Sequence, residues 1–303
     1  MTFLSNFKKG MLHVAALALI ASVGMALPQL ASANSAANAT IKNTVIVNYE
    51  DANANAFSAE DIVLVTVNLV SAIATLSAPA DQYSAVGATV TYVYTVTNNS
   101  NGLDDVTIST PAAPGTQTNL TGTVTSTSVT TLALGGTTLS GAQTIDITAA
   151  PFNITVPNDA YTAASDSSMN GIAAGNTVVI DGYTFTVNTV TDTLGNLEGT
   201  INLTATQNFG AAYTGTAGTQ VGEQGTFNLL VNLTGSVVTD PLQAALLVAT
   251  VTTSTPGGTS PTDDTTTYIE NPNVTIVKRV RNVTTAGLTG ATDPYTFATK
   301  VYA

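Results

Sequence analysis

The chain has 303 residues, seven of them basic and nineteen acidic, a net charge of −12, and only 9% charged side chains, against roughly 25% in ordinary soluble domains. It has no cysteine, no tryptophan and a single histidine, His13, which falls in a segment read below as a removed leader. Without His or Cys the remaining chain has no Ser-His-Asp triad, no thiolate nucleophile, no redox dithiol and no zinc site of the usual N/S ligands.

Residues 1–33 have the order of a secretory signal peptide. Lys8 and Lys9 form a positive start, residues 11–27 an apolar stretch, and Ala31-Ser32-Ala33 a small-residue cleavage site after Pro28. Cleavage before Asn34 leaves five basic residues (seven less Lys8 and Lys9) against all nineteen acidic ones. Beyond the leader no stretch approaches the 18 unbroken apolar residues of a membrane helix. The expectation is an exported protein, extracellular or on the cell surface, with no membrane span after cleavage. Lacking cysteine, it has no disulfide to staple it and must rely on a large core or on partner chains.

The remaining chain is rich in Thr and Val, which suit strands, and in Asn and Gly, which suit turns. Its period is two, not 3.6, which predicts an all-β fold: an Ig-like antiparallel β-sandwich with a small inserted β subdomain. In chain order, residues 34–75 read as an N-terminal strand pair, 41–49 and 62–70, joined across 50–61. The second strand (IVLVTVNLV) is apolar on both faces, which predicts burial on both sides. The sandwich spans 76–270. Its clearest strand is 88–97, where Val90, Tyr92, Tyr94 and Val96 alternate with threonine. Asn98-Asn99-Ser100-Asn101-Gly102 predicts a hairpin turn into a strand at 105–109.

Residues 152–206 read as a compact, loosely attached β insertion. Strands at 176–180 and 183–190 flank the turn Asp181-Gly182, and a third follows at 197–206. The sandwich resumes at 225–233 and 244–253. Residues 255–267 (TPGGTSPTDDTTT) predict a linker or exposed loop. Residues 271–303 hold two more strand candidates, 273–281 and 294–302, and four basic residues, Lys278, Arg279, Arg281 and Lys300.

The run Gly87 to Asn98 (GATVTYVYTVTN), with Gly102 and Asp105-Val106-Thr107-Ile108, resembles the Ig-like repeat of bacterial and archaeal cell-surface proteins, the family known as domain of unknown function eleven. Residues 43–49 are similar to the closing strand of such a repeat and 273–278 to an opening one. The resemblance covers about half the exported chain and implies a non-catalytic surface module: one interrupted repeat flanked by strand fragments.

Candidate sites are few. Asp51-Ala52-Asn53-Ala54-Asn55 begins like a calcium loop, but Ala56 and Ile62 stand where that loop needs Gly and Glu, so it reads as a polar hairpin turn. The doublets Asp104-Asp105 and Asp263-Asp264 are weak calcium candidates; no other cofactor is expected. Glu50, Glu60, Glu198, Glu223 and Glu270 form no recognisable glycosidase pair, and no enzyme is expected. Lys278, Arg279 and Arg281 make too small a cluster, on too acidic a protein, for nucleic-acid binding; docking on the acidic body of a neighbour is the sharper use. Both ends carry strands with apolar faces: Ile41, Val45, Val47 and Tyr49 at one, Tyr295, Phe297 and Val301 at the other. Free apolar strands must be covered. The leading expectation is therefore a self-assembling subunit of an extracellular filament, surface layer or matrix, joined head to tail by strand complementation. The alternative is an adhesin or ligand-binding module displaying 152–206 to other surface proteins.

Overall fold

A computed structural model describes residues 35–51, 54–109, 116–122, 125–127, 131–159, 161, 167–240, 243–260, 262–270, 279–280 and 296–297. The described residues contain no helix; they form antiparallel sheets packed as a β-sandwich, with one parallel pairing at an edge.

The chain opens with a long hairpin, β1 (Thr40–Glu50) and β2 (Ala56–Thr66). Short strands β3 (Thr75–Ser77) and β4 (Gln82–Ala85) lead into β5 (Thr89–Thr97), β6 (Asp104–Ser109) and β7 (Thr131–Leu134). Next come β8 (Phe152–Pro157), β9 (Thr177–Ile180), β10 (Tyr183–Thr191) and β11 (Glu198–Ala205). The long β12 (Gln220–Asn232) follows, then β13 (Ala245–Thr255) and β14 (Asp263–Glu270). A two-residue pair, β15 (Arg279–Val280) and β16 (Thr296–Phe297), comes last. One sheet runs β7-β6-β13-β14-β4; the other runs β8-β11-β10-β9-β12-β5-β3.

Alternation in β5 works as the period predicts: Tyr92, Tyr94 and Val96 are fully buried while their Thr neighbours face outward or are half-buried. They meet Val106, Ile108, Phe227, Leu229, Val231, Leu247 and Val251 between the sheets. Tyr94 stacks on Phe227 at 5.0 Å, a pairing that adds about 1 kcal/mol beyond burial. The turn Asp181-Gly182 also forms as expected, joining β9 to β10 with φ of 49° and 83°.

Several expectations are corrected. Asn98–Gly102 is not a hairpin turn, because β5 and β6 lie in different sheets; the segment crosses the sandwich. Residues 255–267 are not a linker. β13 continues to Thr255, a tight turn follows, and β14 pairs back along β13 with Thr265, Thr267 and Ile269 buried. The tyrosine hydroxyls of β5 explain how threonine enters this core. Tyr92 Oη lies 2.8 Å from Thr267 Oγ1 and donates to the Thr266 carbonyl at 2.9 Å, and Tyr94 Oη lies 3.1 Å from Thr265 Oγ1. Buried hydroxyls that satisfy one another cost little, so Thr can stand where a composition rule expects an aliphatic residue.

The insertion, expected to be loosely attached, is instead joined firmly to the body. β9 pairs with β12 from Thr177↔Gln224 to Ile180↔Val221, and β12 then pairs with β5 from Gln224↔Thr97 to Asn232↔Thr89. One sheet thus runs through two cores. The second core gathers Ile154, Val156, Phe185, Val187, Ile201 and Leu203 from 152–206, and adds Leu139, Ile145, Ile147 and Val221 from outside it.

Burial raises the Tyr94 phenol to about 12, the Thr265 bond only partly opposing it. A raised value means stability that is complete below pH 10, the phenol's ordinary value, and lost as pH climbs from 10 to about 12. Tyr94→Phe should cost about 1–3 kcal/mol at pH 8, by orphaning the Thr265 hydroxyl, and should flatten that alkaline loss. Urea melts at pH 8, 10 and 11.5 measure both effects; an unchanged alkaline slope would rule out Tyr94 as its source.

Candidate functional site

The β1–β2 hairpin pairs with no other strand among the described residues. Eleven registered pairs run from Thr40↔Thr66 at its base to Glu50↔Ala56 at its tip, a ribbon about 37 Å long at 3.4 Å per residue. Opposed residues share a face. One face carries Ile41, Val45, Val47 and Tyr49 from β1 with Phe57, Val63 and Val65 from β2, and Asn43 and Asp61 are its polar members. The other carries Ile46, Ile62 and Leu64 among Lys42, Thr44, Asn48, Glu50, Ser58 and Glu60. Apart from Thr40, every residue of both strands is exposed, Tyr49 and Ile46 at 54% and Val63 at 55%.

This corrects the expectation that an apolar-on-both-sides strand is buried on both sides. Ile62, Val63, Leu64 and Val65 do alternate between two apolar faces, but among the described residues no sheet packs on either. The pairing also starts earlier than the pattern suggests. β2 begins at Ala56, so the connection shrinks to 51–55, closed by Asn55 N–H and Nδ2 donating to the Asp51 carboxylate at 2.9 Å each. The tip is fastened by Tyr49 stacked on Phe57 at 5.4 Å.

The base of the arm is buried, as Ala36, Ala37, Ala39 and Thr40 show, and Asn101 holds both of its legs. Its carbonyl accepts from Ala37 N–H (2.7 Å) and its Oδ1 from Val70 N–H (2.6 Å). Its Nδ2 donates to the Ser35 carbonyl (2.8 Å) and the Asn68 carbonyl (3.2 Å). Neighbours in the same segment fix the chain that leads from β2 into the body. Ala72 N–H donates to Ser100 Oγ, and Asn99 Nδ2 donates to the Ile73 carbonyl.

The clamp is itself anchored. Asn98 Nδ2 donates to the carbonyls of Gly102 (2.9 Å) and Leu134 (2.7 Å), and Asn98 Oδ1 accepts from Ser100 N–H. Ser100 Oγ donates to Asp104 at 2.6 Å, and the Ser100 carbonyl accepts from Gln220 Nε2 at 2.7 Å. Asn98 N–H donates to the carbonyl of Glu223, whose Oε2 accepts from Gly135 N–H at 2.6 Å. Two glycines make room by close approach. A Cβ on Gly222 would run into the Asn98 carbonyl oxygen, and one on Gly102 would stand 2.5 Å from the Ala37 Cβ. Desolvation raises the Glu223 carboxyl above its ordinary value, and the Gly135 N–H only partly offsets it.

The remaining candidates scatter. Asp104 is spent in the clamp, while Asp105, its neighbour on β6, is exposed on the opposite face. Asp263 accepts from Ala78 N–H at 2.8 Å, and Asp264 follows it on β14 with the strand's alternation between them. Among the described residues no three His, Cys, Asp or Glu side chains come together to hold a metal. Glu50 and Glu60 ride on the arm and Glu223 sits in the clamp, with Glu198 and Glu270 on separate strands. Tyr295 and Val301 lie outside the described residues, as do Lys278, Arg281 and Lys300, while Phe297 falls in β16. The clamp residues Asn98, Ser100 and Asn101 are buried where the sequence predicts only a hairpin turn. Their signal is that the run ends in an acid, Asp104, that a plain turn does not need. Compared with known protein families and with curated proteins, the chain matches none.

Two outcomes follow. Asn101→Ala removes three side-chain hydrogen bonds and should free both legs of the arm at about 2–3 kcal/mol. Hydrogen exchange at Ala37, Val67 and Val70 should speed up at least about tenfold, while β5 and β12 amides keep their protection. Uniform acceleration would mean that Asn101 supports the whole body. For Glu223, a raised value means stability that is complete below about pH 4.5 and lost as pH rises through the folded-state value. Glu223→Gln keeps an acceptor for Gly135 and cannot ionise, so that decline should vanish from urea melts taken between pH 4 and 8. A decline that persists in the variant places its origin elsewhere.

Proposed function

We propose that this protein is an exported, non-enzymatic structural subunit that builds head-to-tail assemblies outside the cell by lending its β1–β2 arm to a neighbouring copy. One observation carries the reading: a paired ribbon of eleven residues a strand, apolar on one face and partly so on the other, stands clear of its own body. A two-stranded ribbon is at best marginally stable in water, and an exposed apolar ribbon with two open edges invites pairing. Covering the half-exposed face of Ile41, Val45, Val47, Tyr49, Phe57, Val63 and Val65 contributes on the order of 5–10 kcal/mol before ordering costs. Because the arm and whatever receives it are different surfaces, the contact is heterologous and propagates as a fibre or sheet rather than closing as a dimer. The leader, the absence of cysteine and the likeness to cell-surface Ig-like repeats support the same setting.

The test replaces residues 41–65 with Asn-Gly, which joins the paired ends Thr40 and Thr66. The intact protein should give filaments or sheets in negative-stain electron microscopy and a polydisperse mass in light scattering. The armless protein should be a folded, β-rich monomer. An intact protein that stays monomeric at high concentration, or an armless one that assembles as well, would sink the reading.

A further inference from the structure

We infer that the occupant of the arm is the cationic C-terminal section, residues 278–300, of the next copy; this rests on the reading of the arm as an assembly element. The charge distribution carries the inference. All but one of the nineteen acidic residues, and none of the seven basic ones, lie between Asn43 and Val277. Past Lys42 at the arm's base, every cation of the chain belongs to 278–300: Lys278, Arg279, Arg281 and Lys300. The arm carries Glu60 and Asp61 along its length and Glu50 and Asp51 at its tip.

Seating an arm on another arm, or on the acidic body, would press carboxylates together while water is withdrawn, which is the arrangement that interfaces avoid. Only 278–300 offers the opposite sign. The tip suits a guanidinium in particular, since stacked Tyr49 and Phe57 border, with Glu50, a shallow depression completed by Asn48, Ala56 and Ser58. An aromatic face beside a carboxylate holds arginine better than lysine. The backbone fits as well. β15 and β16 form an antiparallel pair, Arg279 opposite Phe297, that joins no other described sheet, and the arm is likewise a ribbon with unpaired edges. Each ribbon can extend the other by strand addition.

Charge exchange in the full chain tests this. One variant reverses the C-terminal section (Lys278→Glu, Arg279→Glu, Arg281→Glu, Lys300→Glu); a second reverses the arm (Glu50→Lys, Glu60→Lys, Asp61→Lys). Each alone should assemble at least about tenfold more weakly at 50 mM salt, with its body still folded by circular dichroism. Mixed one to one, they should recover assembly as an alternating copolymer, because each arm then meets a section of opposite charge. Unmodified protein should assemble about tenfold less well at 1 M than at 50 mM salt, where exposed pairs are screened. A C-terminal variant that assembles like the unmodified protein, a mixture that fails to recover, or assembly indifferent to salt would each overturn the inference. The armless protein separates the two claims. If it stays monomeric while the C-terminal variant still assembles, the arm is an assembly element with a different occupant; if it assembles, the underlying reading falls as well.

Discussion

A buried polar crossing, Asn98 to Gly102, is the point on which the rest of the structure depends. Its side chains and carbonyls reach the arm through Asn101, the chain after the arm through Asn99 and Ser100, and β6 through Asp104. They reach the junction of the two cores through Gln220 and Glu223. A group of amides this deep in a protein is costly unless each one is satisfied. Asn98 spends both Nδ2 protons and its Oδ1, and Asn101 does the same. Satisfaction of that kind requires one geometry, so the crossing specifies where three parts of the molecule meet.

The sheet that runs from β8 to β3 ties this local specification to both cores. β12 is thirteen residues long because it serves two cores, pairing with β9 at its start and with β5 through the rest. Gln224 is where the two pairings meet, opposite Thr177 on one side and Thr97 on the other, one residue before the crossing begins. The glycine at 222 lets β12 pass against the Asn98 carbonyl at that point. The insertion and the sandwich therefore share one continuous sheet, and the crossing that holds the arm lies against it.

The sequence speaks clearly where one residue type has one use. Alternating Tyr and Val against Thr in β5 places a buried face, and Asp181-Gly182 places a turn, because the side-chain period and positive φ are local properties. It misleads where the same residue serves two environments. Thr265 and Thr267 look like linker residues but fill a core, since their hydroxyls find Tyr94 and Tyr92 some 170 residues away in sequence. Asn98 and Asn101 look like turn residues but are buried, since their partners at Leu134, Ser35 and Asn68 are equally distant from any pattern. The residues Ile62 to Val65 look like a central strand, because apolar-on-both-faces is the pattern of a covered strand, yet all four are exposed on the arm. Ile41, Val45, Val47 and Tyr49 were legible as one apolar face; the partner strand and the eleven-pair register came only with the structure.

That last ambiguity leads to how such an arm keeps its shape and its solubility before it is covered. A free two-stranded ribbon loses its order easily, and ordering it at the moment of binding would subtract from the affinity. Here the two ends are fastened independently, by the Tyr49–Phe57 stack at the tip and by Asn101 across both legs at the base. Only the middle, Thr44 to Val47 against Ala59 to Ile62, relies on cross-strand pairing alone. Fastening both ends leaves few ways for the middle to stray, so much of the ordering cost is met inside the monomer. Solubility is handled by charge: Asp61 interrupts the apolar face, Glu50 and Glu60 stand on the other, and the acidic body repels other acidic bodies. In the assembly proposed above, the same carboxylates that keep arms from meeting one another would favour a cationic partner. On that proposal, protection against random aggregation and choice of partner would be one property of the ribbon, since an apolar face guarded by negative charge favours a neighbour that brings the positive charge with it.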